Sequence, residues 1–200
     1  MKQETTPNQK VHFISLGCPK NLVDSEIMAG TLMKDGYSVV GEAEEADTVI
    51  VNTCGFIEDS KKESIQRILD MAELKQEGKI KKVVVAGCLT QRYKEDLVEG
   101  LPEADLFVGS GEFQNIAKIL KNSDAGEKQK TFFNLPTYLQ EEATPRVNSQ
   151  PGHRAYLKIS EGCMKRCAFC AIPLIRGNLQ SRTLQNVVNE AKLLAAGGVK

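Results

Sequence analysis

Apolar residues arrive in short runs separated by longer mixed stretches. Val11-His12-Phe13-Ile14-Ser15-Leu16-Gly17-Cys18, Thr48-Val49-Ile50-Val51-Asn52-Thr53-Cys54 and Val83-Val84-Val85-Ala86-Gly87-Cys88 are near-continuously apolar and rich in β-branched residues. Leu106-Phe107-Val108-Gly109 is a shorter fourth run. Such runs predict strands buried on both faces, as in a parallel sheet. The stretches between them read as helices. Residues 24–34 open on Asp24 as a cap and carry Ile27, Leu32 and Met33. In residues 58–77, Ile65, Ile68, Leu69 and Ala72 recur at i, i+3, i+4 and i+7, giving one apolar face. Gly78 stands where a helix stop belongs. Residues 91–99 and 113–120 predict shorter helices. Strands alternating with helices imply βαβ units and a doubly wound parallel sheet, hence an α/β fold.

The pattern then changes. Residues 1–10 are polar and are expected to be a disordered lead-in to an α/β domain spanning 11–121. Residues 122–130 are charged, and Pro136, Pro145 and Pro151 punctuate the polar stretch that follows. Residues 122–152 therefore predict a linker, with a short strand at 131–133. A second unit opens at His153, with a predicted strand at 155–160, a loop, and a helix at 183–196 closed by Gly197 and Gly198. One βα unit cannot bury its own hydrophobic face. Residues 153–200 are thus expected to be the opening of a larger, truncated domain.

Composition adds a class. The 200 residues are 41% hydrophobic and 26% charged, which fits a globular chain rather than a disordered one. Lys plus Arg and Asp plus Glu are both 26, so the formal net charge is zero and a strongly basic nucleic-acid binder is not indicated. No apolar run approaches the roughly 20 residues of a membrane span. The first ten residues lack the apolar core of a secretory signal. The expected compartment is the cytoplasm, where thiols stay reduced, so the six cysteines need a role other than disulfide bonding.

They divide into two sets. Cys18, Cys54 and Cys88 each close a predicted strand, one βα unit apart. All three therefore belong at the C-terminal sheet edge, where ligands of open α/β sheets collect. Taken singly, each would be an ordinary small buried residue; their common position raises them to candidate ligands. Asn21 and Asn52 beside them read equally as hydrogen-bond donors to a metal site or as turn residues. Gly17, Gly55 and Gly87 do not form a dinucleotide-binding fingerprint. The other set, Cys163, Cys167 and Cys170, lies within one short loop after a predicted strand. Three thiolates suit three irons of a 4Fe–4S cube and leave the fourth open. S-adenosylmethionine offers an amine and a carboxylate for that iron. Phe169 is placed to pack on its adenine, and Arg176 and Arg182 read as contacts to its carboxylate or to substrate, or as solvated charges. A closed zinc site is the alternative, its fourth ligand drawn from His153, His12 or another cysteine. A non-enzymatic iron–sulfur electron-transfer module is another.

The segment Cys163-Met164-Lys165-Arg166-Cys167-Ala168-Phe169-Cys170 resembles the signature of radical S-adenosylmethionine enzymes. With Ser160-Glu161-Gly162, Ile172-Pro173-Leu174-Ile175-Arg176-Gly177 and Ser181-Arg182, it resembles their methylthiotransferase branch. Residues 15–26, Asn52-Thr53-Cys54 and Ala86-Gly87-Cys88 are similar to that branch's N-terminal domain, so the resemblance runs over nearly all of 11–200. It implies a parallel-sheet methylthiotransferase domain followed by the first βα unit of a partial, TIM-like radical barrel. It implies two 4Fe–4S clusters: one on Cys163, Cys167 and Cys170 that binds S-adenosylmethionine, and an auxiliary one on Cys18, Cys54 and Cys88. Two equivalents of S-adenosylmethionine would serve, one as methyl donor and one as radical source, with a cellular electron donor and a sulfur donor as further partners. Cys18-Pro19-Lys20-Asn21 resembles the members that act on small-subunit ribosomal protein twelve, implying methylthiolation of an aspartate β-carbon. The tRNA-directed members usually carry Gln-Met-Asn there, and a tRNA adenosine is the alternative substrate. Zero net charge leans toward the protein target. The 200-residue piece alone is expected to be inactive.

Overall fold

A computed structural model describes residues 9–141 and 143–200. The expected lead-in lies largely outside the described residues, but Lys10 belongs to the first strand, and its amide donates to the Asp47 carboxylate (2.9 Å).

The chain runs β1 (Lys10–Ser15), α1 (Pro19–Lys34), β2 (Ser38–Val39), β3 (Thr48–Thr53), α2 (Glu58–Gln76), β4 (Lys82–Gly87), α3 (Cys88–Gly100), β5 (Leu106–Gly109), α4 (Ile116–Asp124) and β6 (Thr131–Phe132). Short 3₁₀ turns at Ala43–Glu45 and Phe113–Asn115 join some of them. The six strands form one parallel sheet in the order β2-β1-β3-β4-β5-β6.

Strand side chains alternate between faces, and that alternation builds two cores. Ile50, Val84, Ala86 and Val108 pack with Val23, Ile27, Ile116 and Leu120 of α1 and α4. Val49, Val51, Val83, Val85 and Phe107 pack on the opposite face with Ile68, Met71, Leu89 and Leu97 of α2 and α3. All six residues of β3 are buried. Each fully buried Val, Ile or Leu contributes roughly 1.5–3 kcal/mol, so the two apolar layers hold the sheet edge in place.

Several boundaries differ from the sequence pattern. Helix α1 starts at Pro19 rather than Asp24, because proline is well suited to a first helical turn. Asp24 is therefore an interior residue, and Cys18 takes the cap position. In α2 the buried face includes Ser64, Ile68, Met71 and Ala72, while Leu69 is exposed; a polar core residue breaks the apolar periodicity. Helix α3 begins at Cys88 itself.

The expected linker is largely built into the fold. Residues 122–124 finish α4, and β6 joins the sheet. Residues 145–149 cross directly over α1: the Val147 amide donates to the Glu26 carbonyl (3.1 Å), and a Cβ on Gly30 would sit 2.5 Å from the Arg146 nitrogen. Glycine is what lets that segment approach the helix.

The last part holds β7 (Ser160–Glu161), α5 (Ile172–Arg176), β8 (Gln180–Ser181) and α6 (Leu184–Ala196). The predicted strand at 155–160 contracts to β7, paired antiparallel with β8. A strand needs a neighbour's ladder, and among the described residues it is 180–182 that run beside it, with the Arg182 amide donating to Ile159 (3.0 Å). Thr183 caps α6 through its side-chain oxygen. Leu184 and Leu193 remain exposed, the uncovered face that a single unit must leave. Among the described residues no helix is long and apolar enough to cross a membrane.

Candidate functional site

β1, β3 and β4 are neighbours in register, Ser15 opposite Asn52 and Asn52 opposite Ala86. Cys18, Cys54 and Cys88 thus leave three adjacent strand ends. Each also precedes or begins a helix: Cys18 at the cap of α1, Cys54 just ahead of α2, Cys88 as the first residue of α3. Glycines make the close approach possible. Gly17 has φ +91, and a Cβ there would lie 2.7 Å from the Cys54 Cβ. Gly87 has φ +96, and its Cβ would lie 2.3 Å from Asn52 Oδ1. Ser64, the polar residue on the buried face of α2, clamps the Cys54 backbone: its Oγ accepts from the Cys54 amide and donates to the Cys54 carbonyl, both at 3.0 Å.

These three cysteines and Cys163 line one cavity of about 900 Å³. Phe56, Ile57, Ile172 and Ile175 supply apolar wall, and Lys20, Glu63, Glu161 and Arg176 supply charge. All six cysteines are free thiols; Cys88 is buried, Cys18 and Cys167 are exposed. The sequence separates the two triples completely, yet the structure brings one member of the second to the cavity of the first. Among the described residues no three His, Cys, Asp or Glu side chains gather closely enough to hold a single metal ion. A four-iron cube spreads its thiolates over different irons, so three cysteines spaced around a cavity fit that group.

Asn21 and Asn52 serve as braces. Asn21 Nδ2 donates to the carbonyls of Leu16, Asn52 and Thr53 (2.7, 3.2 and 3.3 Å). Asn52 Nδ2 donates to the Asn21 carbonyl and to Ser25 Oγ, both at 2.8 Å. Together they tie two strand ends to the first turns of α1.

A buried ionic cluster sits behind them. Arg176 is 3% exposed, so it is not a solvated charge. Its Nη1 pairs with Asp24 (2.5 Å) and Glu161 (3.3 Å), and its Nη2 donates to Asn21 Oδ1 and to Cys88 Sγ, both at 3.1 Å. Lys158 Nζ pairs with Asp24 (2.6 Å) and Glu161 (3.0 Å). Two cations against two anions make the burial tolerable, since an unpaired ion there costs several kcal/mol. Burial by itself would raise the Glu161 carboxyl, but Arg176 and Lys158 hold it down at about 2. Burial pushes the Cys88 thiol up to about 11 against the pull of Arg176. The pairing of Asp24 with Lys158 and Arg176 escapes a sequence reading, because partners more than 130 residues apart leave no periodic trace.

The second cysteine loop is held by fewer and more local contacts. The Cys163 amide donates to Gly177 (3.1 Å) and the Cys170 amide to Cys167 (3.1 Å). A Cβ on Gly162 would lie 2.2 Å from the Asn178 carbonyl. Phe169 is 92% exposed, leaving its ring face free. Arg182 is buried against Glu190 of α6 and donates to the Lys158 carbonyl (2.9 Å), so it braces the helix. His12 bonds the Val40 carbonyl (3.1 Å) within the sheet, and neither His12 nor His153 lines the cavity.

The family described as "Uncharacterized protein family UPF0004" matches residues 10–109, half the chain and nearly the whole parallel sheet. The chain belongs to that family. The UPF0004 region thus holds Cys18, Cys54 and Cys88. Over all 200 residues the chain is 92% identical to "Ribosomal protein uS12 methylthiotransferase RimO" of Bdellovibrio bacteriovorus, covering 44% of that protein. Over 192 residues, 96% of the chain, it is 47% identical to the protein of the same name from Geobacter sulfurreducens, covering 43% of it. The chain therefore spans less than half the length of these curated relatives. A solved radical S-adenosylmethionine methyltransferase, TsrM from Kitasatospora setae, superposes with a TM-score of 0.61 at 16% identity. That match covers 96% of this chain and 46% of TsrM, and it shows a shared fold alone.

Proposed function

We propose that this chain is the cluster-binding part of a radical S-adenosylmethionine methylthiotransferase that modifies an aspartate β-carbon of small-subunit ribosomal protein twelve. The observation that carries the reading is the shared cavity: Cys18, Cys54 and Cys88 from three strand ends face Cys163 of the second loop across it. The relatives named uS12 methylthiotransferase support the substrate, as does Cys18-Pro19-Lys20-Asn21.

Cys18, Cys54 and Cys88 would hold one 4Fe–4S cluster, and Cys163, Cys167 and Cys170 a second that binds S-adenosylmethionine. When bound, these groups supply the radical and sulfur chemistry that an unactivated C–H bond demands. The chain's own residues prepare the place. Gly17 leaves room for Cys54 and Gly87 for the Asn52 side chain, Asn21, Asn52 and Ser64 lock the strand ends, and Phe56, Ile57, Ile172 and Ile175 give the cavity apolar wall. Phe169, exposed beside Cys170, offers an aromatic face for the adenine.

The test uses a deletion strain of a bacterium that carries the modification, complemented with the full-length gene. Intact-mass analysis of the ribosomal protein is expected to regain one methylthio group. A methylthio group restored on tRNA adenosine instead, with the ribosomal protein unchanged, would overturn the substrate assignment.

A further inference from the structure

We infer that Arg176 is a positioning residue that tunes the N-terminal cysteine site through Cys88. The inference rests on the reading of Cys18, Cys54 and Cys88 as cluster ligands and adds a role for a residue from outside that triple. Arg176 lies six residues after Cys170, at the end of α5. Its side chain nevertheless crosses to the other site, where Nη2 stands 3.1 Å from Cys88 Sγ.

The guanidinium is held from several sides. Nη1 is fixed by Asp24 and Glu161, and Nη2 is also shared with Asn21 Oδ1. A planar fork so anchored cannot swing away from the sulfur. The residue is buried, and in a low-dielectric setting a charged N–H donor acts strongly on its acceptor.

An ion-pair role alone does not account for this arrangement. Asp24 and Glu161 already share Lys158, and Lys20 stands 3.7 Å from Glu161. A lysine at position 176 would supply whatever positive charge the pair still needs. Only a forked group reaches both carboxylates with one nitrogen and the Cys88 sulfur with another. Hydrogen bonds to ligand sulfur set iron–sulfur reduction potentials, because a donor stabilises the more negative, reduced form. Arg176 therefore holds the potential of the Cys88-linked cluster higher than the thiolates alone would. Glu161, on the same guanidinium, is two residues from Cys163, so the bond depends on the seating of the second loop.

The experiment isolates the first site. In a C163A/C167A/C170A background of the full-length protein, anaerobic reconstitution with iron and sulfide is expected to load about four irons per chain. A potentiometric titration followed by electron paramagnetic resonance then compares Arg176 with Arg176→Lys, which keeps the charge and loses the N–H to sulfur. The expected result is unchanged iron content and a lower midpoint potential. An unchanged potential with four irons bound would overturn the inference and leave the cluster reading standing. Failure of the parent to bind iron would remove both. If Arg176→Lys does not fold, D24N/R176Q is compared with D24N alone, so that loss of the Asp24 charge is common to both. A lowered midpoint there supports the inference and an unchanged one overturns it.

Discussion

The two cysteine triples are built in opposite ways. Cys163, Cys167 and Cys170 sit within eight residues of one another on a loop held mainly by backbone contacts. Cys18, Cys54 and Cys88 are far apart in sequence and are assembled by a buried parallel sheet. The first triple is simple in sequence and loosely supported in space. The second is dispersed in sequence and rigidly supported, with glycines, asparagines and a serine fixing the strand ends. Local motifs need little scaffold because the chain itself limits their separation. Dispersed sites exist only as far as the fold is specified.

The contrast is sharpest where charge is buried. Asp24→Ala would leave Lys158 and Arg176 with Glu161 as their remaining carboxylate partner. Breaking such a buried pair should cost about 3–5 kcal/mol, read as a fall in the urea midpoint of the metal-free chain. A loss under 1 kcal/mol would mean the cluster is far more solvated than its burial indicates.

Backbone strain at a strand end comes next. Gly87→Ala forces an L-residue to φ +96 with its Cβ against Asn52 and Thr53, and should cost about 2–3 kcal/mol. Gly36→Ala shares a positive φ (+93) but meets open space, so it should cost about 1 kcal/mol. Equal losses in thermal melts would show that conformation, not crowding at the site, dominates.

Removing one thiol from the loop should separate stability from loading. Cys167→Ala is an exposed change, so the metal-free melt should move by no more than about 0.5 kcal/mol. Iron bound after reconstitution should fall from about eight to about four per chain. Retention of eight irons would break the assignment of that triple.

The smallest effect probes the α1 core. Burial, reinforced by Asp124 and Asp35, pushes the Tyr37 phenol from 10.0 up to about 12. The folded state therefore resists ionisation that the unfolded chain permits. Its contribution is complete below pH 10 and is lost as pH rises through about 12. The hydroxyl finds no hydrogen-bond partner among the described residues. Tyr37→Phe should thus be neutral or slightly stabilising at pH 7, and should unfold less steeply in alkaline titrations. A clear loss at pH 7 would reveal a partner for the hydroxyl.

By itself the sequence determined the parallel sheet, the two cysteine triples and the strand-end position of the first. Burial on both faces writes continuous apolar runs such as Thr48–Thr53, and strand period and helix period are local properties of the chain. It did not place Asp24, which reads as a helix cap until Pro19 proves to be the helix start. Nor did it place Arg176 beside Cys88, because the partners of its guanidinium come from other segments of the chain. The meeting of Cys163 with the sheet-edge cavity was likewise decided only in three dimensions. The physical reason is common to all three. Ion pairs, hydrogen bonds and shared cavities join residues whose separation along the chain follows no period, so only the packing of α1 against the later segment brings them together.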